Sequence, residues 1–379
     1  MVGFKSAILS GLLASTAFAL PTVGPEPLTN VGTSDPWDPA SYQKTFITCP
    51  AVDRSGPTPK DIQLRLGYID VNPTAEKTLV LAHGWPSMWT TYRKQIEHFG
   101  KDYHLIIPEH RGFGDSEHPR DLNASNTMQD FMNDMICMMD HAKASSGVCV
   151  GNDFGAQLCW EAGRARPDKF IAVFNVGIPY VTSSTMFVPT LLLSVLNPSF
   201  GYQVYLSEAP EKAAAEMDAD PLSVIRATAQ VAQTKVPENF LKLRDGFLQP
   251  WLEQDRQNNY TEVPFSGIMS KKVEDYMVSA YRKQGFLNTF NGYQYGNRKL
   301  TYDYDVAQGN FSLPQPTFTL FPTKDPVSNW EEFAVMLKSS DFLPNTKNAT
   351  IETAHWPHEE KPEEFNKILE DWLNSDVKF

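Results

Sequence analysis

Residues 147–155 read GVCVGNDFG, an apolar run that ends in Gly151-Asn152-Asp153-Phe154-Gly155. The apolar part predicts a buried strand, and the residues from about Gln157 predict a helix. Between them, G-x-D-x-G has the spacing of the G-x-S-x-G nucleophile elbow, with aspartate where serine would stand. The glycines permit a tight strand-to-helix turn that lifts the central side chain above a sheet. A competing reading makes Asp153 only the N-cap of the following helix, since aspartate is a preferred cap. The surrounding sequence decides between them.

On the N-terminal side, Ile62–Val71 (IQLRLGYIDV) alternates like a strand, while Thr78–Ala82 (TLVLA) and Tyr103–Ile107 (YHLII) read as further strands. Thr127–His141 carries apolar residues at i, i+3 and i+4 and predicts an amphipathic helix whose methionines fill core. Phe170–Val176 is a further strand. Strand alternating with helix implies an α/β protein with a doubly wound, mostly parallel sheet. After Pro179 the rhythm breaks into helical stretches at Glu208–Met217, Leu222–Thr234 and Lys271–Gln284. The strand pattern resumes at Thr317–Phe321, and a last amphipathic helix covers Glu363–Leu373. This order predicts a helical cap inserted between two halves of one sheet, covering the carboxyl ends of the strands where such sheets bind ligands. The expected division is an N-terminal arm at 20–60, core at 61–178, cap at 179–308 and core again at 309–379.

The chain has 379 residues, 41% apolar and 21% charged, enough to bury a sizeable core. Its 33 Lys plus Arg against 45 Asp plus Glu give a net charge of −12, and no basic run is present to neutralise phosphates, so nucleic acid is not an expected partner. Residues 1–19 (MVGFKSAILSGLLASTAFA) place one positive charge at Lys5, an apolar stretch, then Ala17-Phe18-Ala19, the pattern of a cleaved secretory signal. The apolar run is too short to span a bilayer, so no integral membrane segment is expected after cleavage. Secretion gives meaning to the glycosylation sequons at Asn123, Asn259, Asn310 and Asn348. Cys49, Cys137, Cys149 and Cys159 are too few for a disulfide scaffold, and Cys149 reads as a small buried hydrophobe; their pairing stays open.

Three signals favour a catalytic Asp153. His83-Gly84-Trp85-Pro86 follows the strand TLVLA, where the Trp85 N–H, together with that of Phe154, can form an oxyanion hole. Asp325 follows the strand at Thr317–Phe321, and His355 comes 30 residues later, giving the order nucleophile, acid, histidine. Arg111-Gly112-Phe113-Gly114-Asp115-Ser116 follows another strand. Taken jointly, HGWP, RGFGDS, GNDFG and His355-Trp356 followed by Lys361-Pro362-Glu363-Glu364 make the chain from about Ile62 onward resemble the epoxide hydrolases of the α/β-hydrolase fold. Phe154 stands where that family usually has Trp, Asn152 where it often has His, and Glu109-His110 where a pair such as Asp-Leu precedes Arg-Gly.

The resemblance implies Asp153 as nucleophile, Asp325 and His355 as relay and base, and two cap tyrosines that hold the epoxide oxygen. The matching segments are Gly201-Tyr202 and Asn291-Gly292-Tyr293, with Tyr205 as a substitute for Tyr202. An aspartate, with reference pKa about 3.9, is already an anion at neutral pH and can attack a saturated carbon, whereas phenols can protonate the departing alkoxide. His358 is a rival base, Glu359 and Glu360 read as solvated charges, and Asp115 and Asp140 do not follow the relay strand. An epoxide is therefore the expected small-molecule substrate, opened by water or, in a cyclising version, by an internal hydroxyl. A haloalkane dehalogenase would want halide donors where Trp85 and Phe154 stand. An esterase is disfavoured by Asp153, and a non-catalytic binding protein would have been expected to lose a triad member. No HExxH, P-loop or dinucleotide fingerprint is present, so no metal or nucleotide cofactor is expected.

Overall fold

A computed structural model describes residues 37–258 and 263–379. The expected signal segment lies outside these residues. Eight strands, β1 (Lys44–Asp53), β2 (Lys60–Val71), β3 (Thr78–Ala82), β4 (His104–Glu109), β5 (Gly147–Asn152), β6 (Phe170–Val176), β7 (Thr317–Pro322) and β8 (Thr346–Ile351), form one sheet in the order β1-β2-β4-β3-β5-β6-β7-β8. β2 runs antiparallel to both of its neighbours, and every pair from β4 to β8 is parallel. The core helices are α1 (Arg93–Phe99), α2 (Met128–His141) and α3 (Phe154–Ala165). Between β6 and β7 lie α4 (Thr190–Leu196), α5 (Gly201–Glu208), α6 (Pro210–Ala219), α7 (Pro221–Thr228), α8 (Gln249–Asn258), α9 (Lys271–Gln284) and α10 (Tyr295–Gln308). The chain closes with α11 (Trp330–Met336), α12 (Pro357–Glu360) and α13 (Pro362–Asp376).

The strand period of two sorts β3 between the faces: Leu79 and Leu81 join the cluster that continues into the cap, whereas Val80 and Ala82 pack against α2 and α3. Met132, Met135, Met138 and Met139 of α2 fill this second face, as the helical spacing predicts. Thr127 caps α2 in a reciprocal box with Asp130. The segment read as an arm is in its latter part a strand, because β1 pairs with β2 along ten residues. Two further differences concern cysteine. Cys49 in β1 is bridged to Cys137 in α2, and Cys149 in β5 to Cys159 in α3, so Cys149 is buried but not a free thiol. Both bridges tie the sheet to the helices behind the elbow.

The topology puts β3 and β5 side by side at the point where strand order reverses, the usual place for a ligand crevice in an open α/β sheet. The turns that leave these two strands carry HGWP and the elbow, and the cap lies over them.

Candidate active site

Asp153 has φ 54° and ψ −122°, a backbone conformation that non-glycine residues rarely adopt and that marks a strained strand-to-helix turn. Its side chain does not cap α3, which removes the N-cap reading. The glycines around it are required by close approach. A Cβ on Gly155 would lie 1.9 Å from the Ala82 carbonyl oxygen, one on Gly151 2.3 Å from the Gly155 oxygen, and one on Gly84 2.6 Å from Asp153 Cβ.

The two carboxylate oxygens of Asp153 meet different neighbours. Oδ1 accepts a hydrogen bond from the Trp85 N–H at 2.8 Å, whereas Oδ2 faces His355 Nε2 at 3.3 Å. The Phe154 N–H lies in the first turn of α3, where no intrahelical acceptor is offered. His355 Nδ1 contacts Asp325 Oδ2 at 2.7 Å, and Asp325 is itself held by the Val327 N–H at 2.8 Å and Trp330 Nε1 at 2.6 Å. Burial alone would lower the pKa of His355, but the flanking Asp325 and Asp153 carboxylates outweigh it and raise it to about 10. The resting imidazole is thus a cation between two anions, donating from both nitrogens.

Tyr202, in the first turn of α5, and Tyr293, at the end of the 3-10 segment Leu287–Tyr293, are both buried, with ring centroids 5.9 Å apart. The Trp85 ring packs on both, 6.1 Å from Tyr202 and 5.8 Å from Tyr293. Burial, and then the charge of Asp153, raise the pKa of Tyr202; burial, Tyr202 and Asp153 do the same for Tyr293. Both phenols therefore stay protonated and able to donate. Each follows a glycine that allows close approach: a Cβ on Gly201 would lie 2.2 Å from the Lys242 carbonyl oxygen, and one on Gly292 2.1 Å from Phe154 Cε2. Phe154 thus fills the seam against which Asn291-Gly292-Tyr293 packs.

Tyr205 turns away from this group. It is fully buried with its interactions directed at Glu216 and Lys212, so Tyr202 and not Tyr205 lines the cavity. His358 is sealed from solvent, bonded to Thr91 Oγ1 at 2.7 Å and stacked on Tyr92. Burial, Arg93 and His355 lower its pKa to about 3, and it does not reach Asp153 as His355 does. The reading of Glu359 and Glu360 as solvated charges is corrected. Glu359 is buried and paired with Arg93, because α12 folds back onto the start of α1. Glu360 accepts the N–H groups of Ala354 and Ala232, tying the His355 loop to the cap. Asp115 pairs with Lys44 and Lys283, and Asp140 with Lys169.

RGFGDS acts at one remove. Arg111 grips Asp134 of α2 with bonds of 2.6 and 2.7 Å, Ser116 Oγ donates to the Glu109 carbonyl at 2.6 Å, and Glu109 is buried against Lys44 at 2.7 Å. Sequence reasoning missed Trp330, five residues after Asp325, and Thr289, whose Oγ1 receives the Trp85 indole N–H at 3.0 Å. Neither sits in a motif that would have singled it out.

Asp153, Tyr202 and Tyr293 open on a cavity of about 440 Å³ between core and cap. A smaller recess, lined by His355, Trp356 and Gln230, also meets Asp153 and Tyr202.

Comparison with known proteins accords with this geometry. A family described as alpha/beta hydrolase fold matches residues 77–362. The chain is 25% identical over 321 residues to Epoxide hydrolase A of Mycobacterium tuberculosis, covering 82% of this chain and 94% of that protein. It is 23% identical over 322 residues to Bifunctional epoxide hydrolase 2 of Sus scrofa, covering 83% of this chain but 54% of the relative, so it spans about half the length of that protein. Among solved structures, Epoxide Hydrolase A from Mycobacterium thermoresistibile superposes with a TM-score of 0.71 at 21% identity, over 88% of this chain and 100% of the other, a likeness of fold. With three quarters of its length matched by the family and the elbow, relay and cap in their expected order, the chain belongs to the α/β-hydrolase fold family.

Proposed function

We propose that the protein is an epoxide hydrolase that opens its substrate through an alkyl ester of Asp153 and releases a diol. The observation that carries this reading is the convergence on Asp153 of His355 and of two buried, protonated tyrosines that line the same cavity. Oδ2 of Asp153 attacks an epoxide carbon, the carbon–oxygen bond breaks, and the alkoxide takes a proton from Tyr202 or Tyr293. The ester removes one of the two negative charges that hold the proton on His355, so the imidazolium gives up its Nε2 proton, which through solvent restores the phenol that protonated the alkoxide, and the neutral imidazole can act as a base. Water then gives a proton to Nε2 and attacks the ester carbonyl. The oxyanion that develops on Oδ1 is met by the Trp85 and Phe154 N–H groups; its collapse breaks the Cγ–Oδ2 bond as Nε2 returns its proton to the departing diol oxygen, and the new Asp153 acid passes its proton to Nε2 as the carboxylate reforms. Dehalogenase chemistry fits less well, because the Trp85 indole N–H is already spent on Thr289 and Phe154 offers no side-chain donor.

A single turnover in heavy-oxygen water tests the scheme. The first diol should carry no label, while the Asp153 peptide gains one heavy oxygen. Label in that first diol would mean that water attacks the epoxide directly, and a cyclic ether as product would mean that an internal hydroxyl does.

The same reading includes passage through the secretory pathway, with residues 1–19 as the signal. Two disulfides suit an oxidising compartment, and Asn123, Asn310 and Asn348 are exposed; Asn259 lies outside the described residues. Intact mass before and after glycosidase treatment is the test: an unshifted mass with Met1 retained would sink it.

A further inference from the structure

We infer that the Cys149–Cys159 disulfide is a positioning device for the elbow: it holds the start of α3 on β5, so that the Phe154 N–H and the Asp153 carboxylate stay in register with the Trp85 N–H. The inference rests on the epoxide-opening reading and adds to it two residues that line neither the cavity nor the recess.

The bridge encloses the elbow. Cys149 lies on β5 four residues before Asp153, Cys159 lies on α3 six residues after it, and their Cα atoms are 5.5 Å apart. Both side chains are fully buried, in the cluster that also holds the Phe154 ring. The closed loop contains Gly151, Gly155 and Asp153 at φ 54°. The glycines permit this turn without holding it, because they only remove Cβ atoms that would collide, and glycine has more backbone conformations open to it than other residues. A residue at a strained φ persists only where its surroundings over-determine it. α3 is also tied to β6 and the residues after it, where Asn175 Nδ2 donates to the Ala156 carbonyl at 2.9 Å and Trp160 Nε1 to that of Ile178 at 3.0 Å. The disulfide ties it covalently to the strand from which the elbow springs.

The oxyanion hole takes one donor from each of two turns, Trp85 after β3 and Phe154 at the first position of α3. Any shift of α3 on β5 changes the span between them, and a misplacement on the order of 1 Å can cost about 100-fold in rate. The Asp153 carboxylate is held in addition by the Trp85 N–H and His355, so ring opening should depend on the bridge less than ester hydrolysis does. The second disulfide supplies a contrast within the molecule. Cys49–Cys137 joins the edge strand β1 to α2 across 88 residues of sequence, against 10 for Cys149–Cys159. A longer loop constrains the unfolded chain more, so as stabilisers alone the outer bridge should outweigh the inner one. Positioning reverses that order for the rate.

Rapid-quench mixing of excess enzyme with styrene oxide or 1,2-epoxyoctane, read by intact mass, separates ester formation from ester hydrolysis. Cys149→Ala with Cys159→Ala should slow hydrolysis by about 10- to 100-fold and formation by less, so that ester accumulates. Cys49→Ala with Cys137→Ala should leave both rates near those of the wild type while lowering the urea midpoint further than the inner pair does. A second arm keeps every atom of the inner cysteines: the outer double variant, unfolded, reduced with dithiothreitol and refolded, should show the same slow hydrolysis, and reoxidation should restore the rate. Hydrolysis rates that follow the urea midpoints, with the outer pair slowing them most, overturn positioning and leave two stabilising staples. A chain that folds in neither form without the inner bridge also overturns it, since the bridge is then a condition of folding. Failure of the wild type to form any Asp153 ester removes the epoxide reading and the positioning role with it, whereas an ester hydrolysed equally fast with and without the inner bridge removes the positioning role alone.

Discussion

The core and the cap each supply part of the reacting group, but they position it by different means. In the core, backbone places the atoms: Asp153 is locked at positive φ, and Gly84, Gly151 and Gly155 stand where any Cβ would collide with neighbouring backbone or with Asp153 itself. In the cap, side-chain packing does more of the work. Tyr202 and Tyr293 are aimed by the Trp85 ring, by one another and by contacts at Gly201 and Gly292, on helices joined by long irregular segments. A backbone-defined nucleophile tolerates almost no substitution, whereas packed donors can be removed one atom at a time without loss of the fold. The core should therefore govern whether an ester forms and is hydrolysed, and the cap how fast the ring opens and on which substrate.

The largest effect should come from the core. Asp153→Ala should abolish ester formation, a loss of at least about 10⁴-fold in turnover. His355→Gln should still form the ester and then stall, because the second step has lost its base. Intact-protein mass spectrometry after mixing with an epoxide separates the two, and normal turnover by His355→Gln would remove the base from its assigned place. Tyr202→Phe or Tyr293→Phe should each slow alkylation by roughly 10²- to 10³-fold, the usual result of deleting one donor to a developing oxyanion, with partial compensation by the remaining phenol. The double variant should be nearly inactive in alkylation yet hydrolyse any ester already formed. Unchanged alkylation rates in rapid-quench experiments would make the tyrosines packing residues only.

The same contrast explains what could be read in advance. The strands Thr78–Ala82 and Phe170–Val176 and the helix Lys271–Gln284 have the bounds their patterns predict, because buried strands and amphipathic helices leave local periodicities. The triad was legible for a similar reason: Asp153, Asp325 and His355 each follow a core strand in a turn of recognisable composition. β1 and β8 are the sheet edges and escaped for different reasons: β1 alternates in burial but carries Pro50, a residue that argues against a strand in sequence, whereas β8 (TKNATI) is largely exposed along its length. The disulfides, the Arg93–Glu359 pair and the contact of Trp330 with Asp325 join residues by tertiary approach alone.

Acidity offers a test confined to the core. The pKa of His355 is raised to about 10 in the resting site by two carboxylates, and esterification of Asp153 removes one of them. Ester hydrolysis should therefore rise about tenfold per pH unit up to a pKa below 10 and then level off, while alkylation lacks that step. Stability should follow with a defined sign. The folded pKa lies above the unfolded value of about 6.5, so the imidazolium's contribution is complete below that pH and is lost as pH rises toward 10. Denaturant midpoints for wild type and His355→Gln between pH 6.5 and 10 measure it. Parallel curves would show that the ion sandwich contributes nothing to stability.

The smallest effect is expected at the seam, where the two means of positioning meet. Gly292 precedes Tyr293 in the cap, and a Cβ there would lie 2.1 Å from Cε2 of Phe154, the residue directly after the nucleophile. The Phe154 ring cannot swing freely, because Phe131 packs edge-on at 5.1 Å and His110 at 6.4 Å. Gly292→Ala must therefore push the 3-10 segment outward and carry Tyr293 with it, at a cost of about 1–3 kcal/mol typical of overpacking. Because the elbow backbone stays where its glycines hold it, alkylation should slow by less than in Tyr293→Phe, and ester hydrolysis should be unaffected. Pairing Gly292→Ala with Phe154→Leu, which removes ring atoms from the contact, should restore both stability and alkylation rate. If the double variant is no better than Gly292→Ala alone, Tyr293 is held by the cap's own packing and the seam does not position it.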